Sequence, residues 1–149
     1  MLDEEKIKKI LVGVDDSPLA KKAFDYALHL AKKEQATLYV VSVINDNNIN
    51  VGSDEYVATQ TFFELEDQSI RKAFKALQEE AAKDKVTLHG IIAYGNPKHI
   101  LAKQLPKKYQ IDTVIIGGPE KSVDNYFGLG SVASYVIRHS PCNVYIIKE

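Results

Sequence analysis

Five short runs of aliphatic and β-branched residues alternate along this chain with segments whose apolar residues recur every three or four positions, and that alternation leaves few folds open. Residues 7–14 (Ile-Lys-Lys-Ile-Leu-Val-Gly-Val) read as a strand buried on both faces, 37–44 (Thr-Leu-Tyr-Val-Val-Ser-Val-Ile), 86–94 and 112–116 as further strands, and 143–148 as a short terminal strand. After the first run, Ser17 suits a helix N-cap and Pro18 the first helical position. Ala20, Ala23, Phe24, Ala27, Leu28 and Ala31 then share one helix face, with Lys21, Lys22, Asp25 and Lys32 largely elsewhere. Phe63, Ile70, Ala73, Phe74, Leu77 and Ala81 mark a second helix over 61–83. Asn96 and Pro97 open a third, which Pro106 should kink or shorten as it runs toward Tyr109. A fourth, over 131–139, turns Val132, Tyr135 and Val136 inward with Ile137 beside them. The polar, Asn-rich stretch 45–60 is expected to be a long loop, either a lid or a partner-facing segment. Strands and helices in this alternation predict an α/β fold: one doubly wound domain over 1–149, with a five-stranded parallel sheet, right-handed crossovers and four flanking helices.

Composition narrows the function classes. With 149 residues and 45% hydrophobic content, the chain can bury one sizeable core. Its 19 basic and 20 acidic residues are mixed along the sequence, giving a net charge of −1 and no cationic footprint for nucleic acid or anionic lipid. No apolar run approaches the roughly 20 residues of a membrane span, and Met1-Leu2-Asp3-Glu4-Glu5-Lys6 is acidic where a leader would be basic. The expectation is a cytoplasmic protein with neither nucleic acid nor membrane as partner. The lone cysteine, Cys142, is read as a packing residue.

The chemistry-bearing stretch is Ile115-Ile116-Gly117-Gly118-Pro119-Glu120, continued by Gly128-Leu129-Gly130-Ser131-Val132-Ala133. An apolar strand stops at a glycine, a polar loop follows, and a second glycine hands over to Ser131 at a helix start. That pattern suits a phosphate cradle, because glycine lets backbone approach a ligand and a helix N-terminus offers unpaired N–H groups; equally, each glycine can simply end a strand or precede a helix. Gly128 to Ala133 also satisfies the dinucleotide fingerprint in form. Its placement does not: the fingerprint needs a strand directly before it and an acid about 20 residues on inside a βαβ unit, whereas here the preceding residues are loop-like and no such unit surrounds it. There is no nucleophile elbow, zinc motif, Walker loop or cysteine pair, so the expected chemistry is binding, with no catalytic residues. In doubly wound sheets ligands bind beyond the carboxyl ends of the strands, which is where the turns after the first and fourth strands lie. With strand order 3-2-1-4-5 those two turns are neighbours.

Nearly the whole chain resembles the universal stress protein family. The resemblance is carried by Ile10-Leu11-Val12-Gly13-Val14-Asp15-Asp16-Ser17, by Val41-Ser42-Val43-Ile44, by Gly95-Asn96-Pro97, and above all by Gly117 and Gly130-Ser131, which match the Gly-x2-Gly-x9-Gly-[Ser/Thr] motif of members that bind ATP. The resemblance implies a five-stranded sheet of order 3-2-1-4-5. It implies that Gly13 and Asp15 line the adenosine end, that Val43 flanks the adenine, and that Gly117, Gly130, Ser131 and Val132 hold phosphates. It further implies a homodimer formed through the C-terminal strand, a protein partner that the sequence does not name, and ATP, with Mg²⁺, as cofactor. At the motif's second glycine this chain has Glu120, preceded by Pro119. A carboxylate facing a polyphosphate would make binding weak or Mg²⁺-dependent. Two functions therefore stand side by side: a dimeric stress-response switch that binds an adenine nucleotide, and a dimeric family member that acts through protein contacts without one.

Overall fold

The computed structural model describes residues 6–15, 17–44, 53–118 and 130–148, over 53–66 as helical backbone only. Five strands, β1 (Lys9–Gly13), β2 (Thr37–Ile44), β3 (Leu88–Tyr94), β4 (Thr113–Gly117) and β5 (Asn143–Ile147), form one sheet of order β3-β2-β1-β4-β5. All four pairings are parallel, as βαβ connections require. Helix α1 (Pro18–Glu34) follows β1 and α2 (Ser53–Lys83) follows β2. The helical rod α3 joins Pro97–His99, a π-turn Ile100–Gln104 and Leu105–Tyr109; α4 (Ser131–His139) precedes β5. The fold class and strand order expected from the sequence are those observed. Among the described residues no helix is long and apolar enough to cross a membrane.

The strands' continuous apolar runs are explained by cores on both faces. Ile10 and Val12 of β1, Leu38 and Val40 of β2, and Ile115 of β4 pack with Ala23, Phe24 and Ala27 of α1 and Phe74 of α2. Leu11, Val41, Val114 and Ile116 point the other way, onto Leu101 and Leu105 of α3 and Ala133 and Val136 of α4. Alternate residues thus serve opposite layers, the period-two rule of a strand applied twice. At the amino edge, Asp112 binds β1 to β4: one carboxylate oxygen accepts from the Lys8 and Lys9 N–H groups, both at 2.9 Å, and the other from Thr113 Oγ1.

Several expectations are corrected. Helix α2 starts at Ser53, so the second half of the stretch read as a loop is helical; residues 45–52 lie outside the described residues. Periodicity missed it because 53–60 carry few large apolar residues, yet extending a helix that is already nucleated costs little, and Asp54 and Glu55 suit a first turn. Helix α3 runs on to Tyr109, as expected, and is not shortened at Pro106. Lacking an N–H, this proline sits just after the π-turn, where Leu105 N–H reaches back five residues to Ile100 C=O. Ile137 is 45% exposed, whereas Val136 is buried and Val132 and Tyr135 pack half-buried against the same core, as expected, with Ala133 beside them. Cys142 is half-buried, 3.1 Å from Ser140 Oγ. Burial pushes its thiol pKa up, which fits a packing role.

Candidate functional site

The carboxyl edge of the sheet opens into a cleft of about 300 Å³ where β1 and β4 diverge. This is the topological switch point: α1 leaves β1 on one face of the sheet and α4 enters β5 on the other. Of the residues expected at a site, Gly13, Asp15, Val43, Gly117 and Val132 line this one cleft. Gly130 and Ser131 sit at the start of α4, immediately before Val132, and are not part of the lining. Asp16, Pro119, Glu120, Lys121, Gly128 and Leu129 lie outside the described residues. Sequence reasoning missed Pro97 and Leu101, which α3 brings across from beyond β3. The signal that could have found them is the Asn96-Pro97 start itself, since a helix that follows β3 must begin at this same edge. Gly95 makes that entry with φ +140°, a conformation natural to glycine, while its N–H bonds Ile44 C=O at 2.9 Å.

The glycines do different jobs. A Cβ on Gly117 would lie 3.2 Å from Leu19 Cγ and 3.4 Å from the Leu19 carbonyl oxygen, so this glycine lets the start of α1 press against the end of β4. A Cβ on Gly13 would make ordinary contacts of 3.5 and 3.6 Å with the Leu101 methyls. A Cβ on Gly130 would meet no described residue within 4 Å. Packing requires the first of these, and among the described residues nothing crowds the third.

Three helices that begin at this edge line or border the cleft, and their first N–H groups are satisfied differently. At α1, Ser17 Oγ accepts from Ala20 N–H at 3.1 Å, and Asp15 Oδ1 accepts from Ser17 N–H at 2.8 Å. At α3, Asn96 Oδ1 accepts from Lys98 N–H at 3.0 Å. At α4 the N-cap is Gly130, which has no side chain to offer; the first intrahelical bond is Ser134 N–H to Gly130 C=O at 2.9 Å. The N–H groups of Ser131, Val132 and Ala133 therefore have no partner among the described residues. They converge with the positive end of the helix dipole on one border of the cleft, and Val132 carries that border into its lining. Asp15, exposed at the opposite end, keeps its second carboxylate oxygen free of described partners. One end of the cleft thus attracts an anion and the other accepts hydrogen bonds, with Val41, Val43, Leu101 and Ile116 as apolar walls between them.

A family model described as the universal stress protein family matches residues 6–148. A protein of Staphylococcus haemolyticus named as a universal stress protein is 30% identical over 142 residues, a span of 95% of this chain and 84% of that protein. The solved structure of the universal stress protein UspA from Lactobacillus plantarum superposes with a TM-score of 0.84 at 29% identity, covering 95% of this chain and 98% of that one. A universal stress protein solved in complex with cAMP superposes with a TM-score of 0.69 at 20% identity, covering 95% and 97%.

Proposed function

The chain belongs to the universal stress protein family, and on that premise we propose that it binds an adenine nucleotide, ATP, in the cleft at the carboxyl edge of its sheet. The phosphates lie on the N–H groups of Ser131, Val132 and Ala133, and the adenosine end lies between Asp15 and Val43. The single observation that carries this reading is the start of α4: alone among the helix starts that border the cleft, it has no side-chain cap, and no described residue crowds it. The relative solved with cAMP has the same fold and supports an adenine nucleotide as the ligand.

Asp15 is the one carboxylate among the described residues that line the cleft, and that lining includes no histidine or lysine. This favours binding over turnover. Among the described residues no three His, Cys, Asp or Glu side chains come together to hold a metal ion. Mg²⁺ would then arrive on the nucleotide's own phosphates, with Glu120 as the further carboxylate that the sequence offers. We also propose a homodimer through β5, which pairs with β4 on one side and is the last strand of the sheet on the other. A nucleotide that changes the contacts of such a dimer would make it a switch in the stress response.

Calorimetric titration with ATP, with and without Mg²⁺, tests the nucleotide reading, together with mass spectrometry of small molecules released when freshly purified protein is denatured. Saturable one-to-one binding is expected. No heat in either titration, and no adenine nucleotide released, would leave the protein-contact function in its place.

A further inference from the structure

Next to the cleft, α1 and α2 stand apart over the end of β2 and form a second groove of about 390 Å³, within the range of small-molecule sites. It shares Val14, Asp15 and Val43 with the cleft but lies on the other side of them. Small side chains make it. On the sheet face where Leu38 and Val40 are fully buried, the next position is Ser42, and α2 opposes it with Ser69, Ala73 and Ala76. The walls are fixed and apolar. Phe24 is fully buried on α1, and Phe74 is anchored against Gly90, where a Cβ would come within 2.6 Å of its ring.

The polar groups at the groove define what could occupy it. Lys21 on the rim is already committed, with its ammonium 2.8 Å from Asp25 Oδ1 and 3.0 Å from Glu80 Oε2, a pair of bridges that also ties α1 to α2. Burial opposes its charge, but these two carboxylates outweigh burial and raise its pKa. Asp15 adds a negative charge at the shared wall. No uncommitted cation lines the groove among the described residues, so an anionic ligand has nothing to pair with and one charge to repel it. The half-buried Ser42 hydroxyl has no hydrogen-bond partner among the described residues.

We propose that this groove is a binding site for an uncharged, ring-containing apolar small molecule, whose rings lie along Ile70, Ala73 and Leu77 between α1 and α2 and whose single polar group bonds Ser42 Oγ. Fluorescence titration with a matched pair of probes tests it on the whole chain without nucleotide. N-phenyl-1-naphthylamine is neutral and carries one N–H; 1-anilinonaphthalene-8-sulfonate has the same ring skeleton and a negative charge. The neutral probe is expected to bind saturably, one per protomer, and at least about tenfold more tightly than the anion. Ala73→Leu, at an exposed helical position that faces the groove, should weaken it at least about tenfold, and Ser42→Ala several-fold. Ser69→Phe, at the exposed rim, is a second blocking variant, and circular dichroism shows that each variant is folded. The proposal is overturned if the wild type shows no saturable binding, if both blocking variants bind the neutral probe as the wild type does, or if the sulfonate binds as tightly. Since no nucleotide is present, none of these results depends on the ATP reading.

Discussion

Gly130→Asp separates stability from binding because it acts on the same N–H groups in both. The N-cap has φ −68° and ψ 165°, a conformation open to any residue, and a Cβ there meets no described residue within 4 Å, so the substitution fits without repacking them. Its carboxylate can accept from the first-turn N–H groups of α4 that no described side chain caps. Replacing glycine by a good cap is worth a few tenths of a kcal/mol, and an anion at a helix start about 0.3–1 kcal/mol more. For a domain of this size that should raise Tm by about 1–4 °C. Nucleotide binding should move the other way. A carboxylate about 4 Å from a phosphate costs about 4 kcal/mol at an effective dielectric near 20, and allowing half of that for solvent screening leaves about 2 kcal/mol. The charge-assisted bonds taken from the phosphate add to this loss, so the expected fall in ATP affinity is at least about 30-fold. Thermal melts followed by circular dichroism and calorimetric titrations of the same preparations read the two effects, with Gly130→Ala as a control expected to change affinity only a few-fold. A variant that melts higher than wild type yet binds ATP equally well would refute the placement of phosphate at α4.

Asp15→Ala should lower ATP affinity by about 1.5 kcal/mol, the low end for a charged acceptor, because Asp15 is exposed and one of its oxygens is already engaged by Ser17 N–H; calorimetry that shows equal affinities would remove Asp15 from the site. Ile146→Pro should convert the dimer to monomers in light scattering without unravelling the sheet. Asn143 N–H and Ile147 C=O both face the β4 side, bonding Asp112 and Gly118, so by alternation the Ile146 N–H points to the free edge. A wild type that is already monomeric at micromolar concentration would refute the β5 dimer. Glu120→Gly should tighten metal-free ATP binding at least about tenfold, or about 1.4 kcal/mol, and narrow the difference between titrations with and without Mg²⁺. An unchanged pair of titrations would show that the missing motif glycine is harmless.

By itself the sequence determined the layers and much of the edge where a ligand would sit. Apolar runs at 10–12, 38–41 and 113–116 read as strands from their length and β-branched content and are buried in the sheet, and Ser17-Pro18 and Asn96-Pro97 carry their own helix starts, because propensity and capping are local effects. The family resemblance likewise points to Gly13, Asp15, Val43, Gly117 and Val132, which line one cleft, and to Gly130 and Ser131, which sit at the helix start beside it. Local signals failed where non-local contacts decide. Residues 53–60 lack an apolar stripe and are nonetheless helical, and Pro106 is absorbed by a π-turn that leaves α3 free to run on beneath the sheet. Tertiary structure alone showed that Gly117 makes room for Leu19, that Leu101 crosses from α3 to wall the cleft, and that Ser42 and Ala73, from distant parts of the chain, leave a groove between α1 and α2. The physical reason is the same in each case: a residue's own propensities fix its element, whereas the space beside it is set by side chains that the sequence places far away.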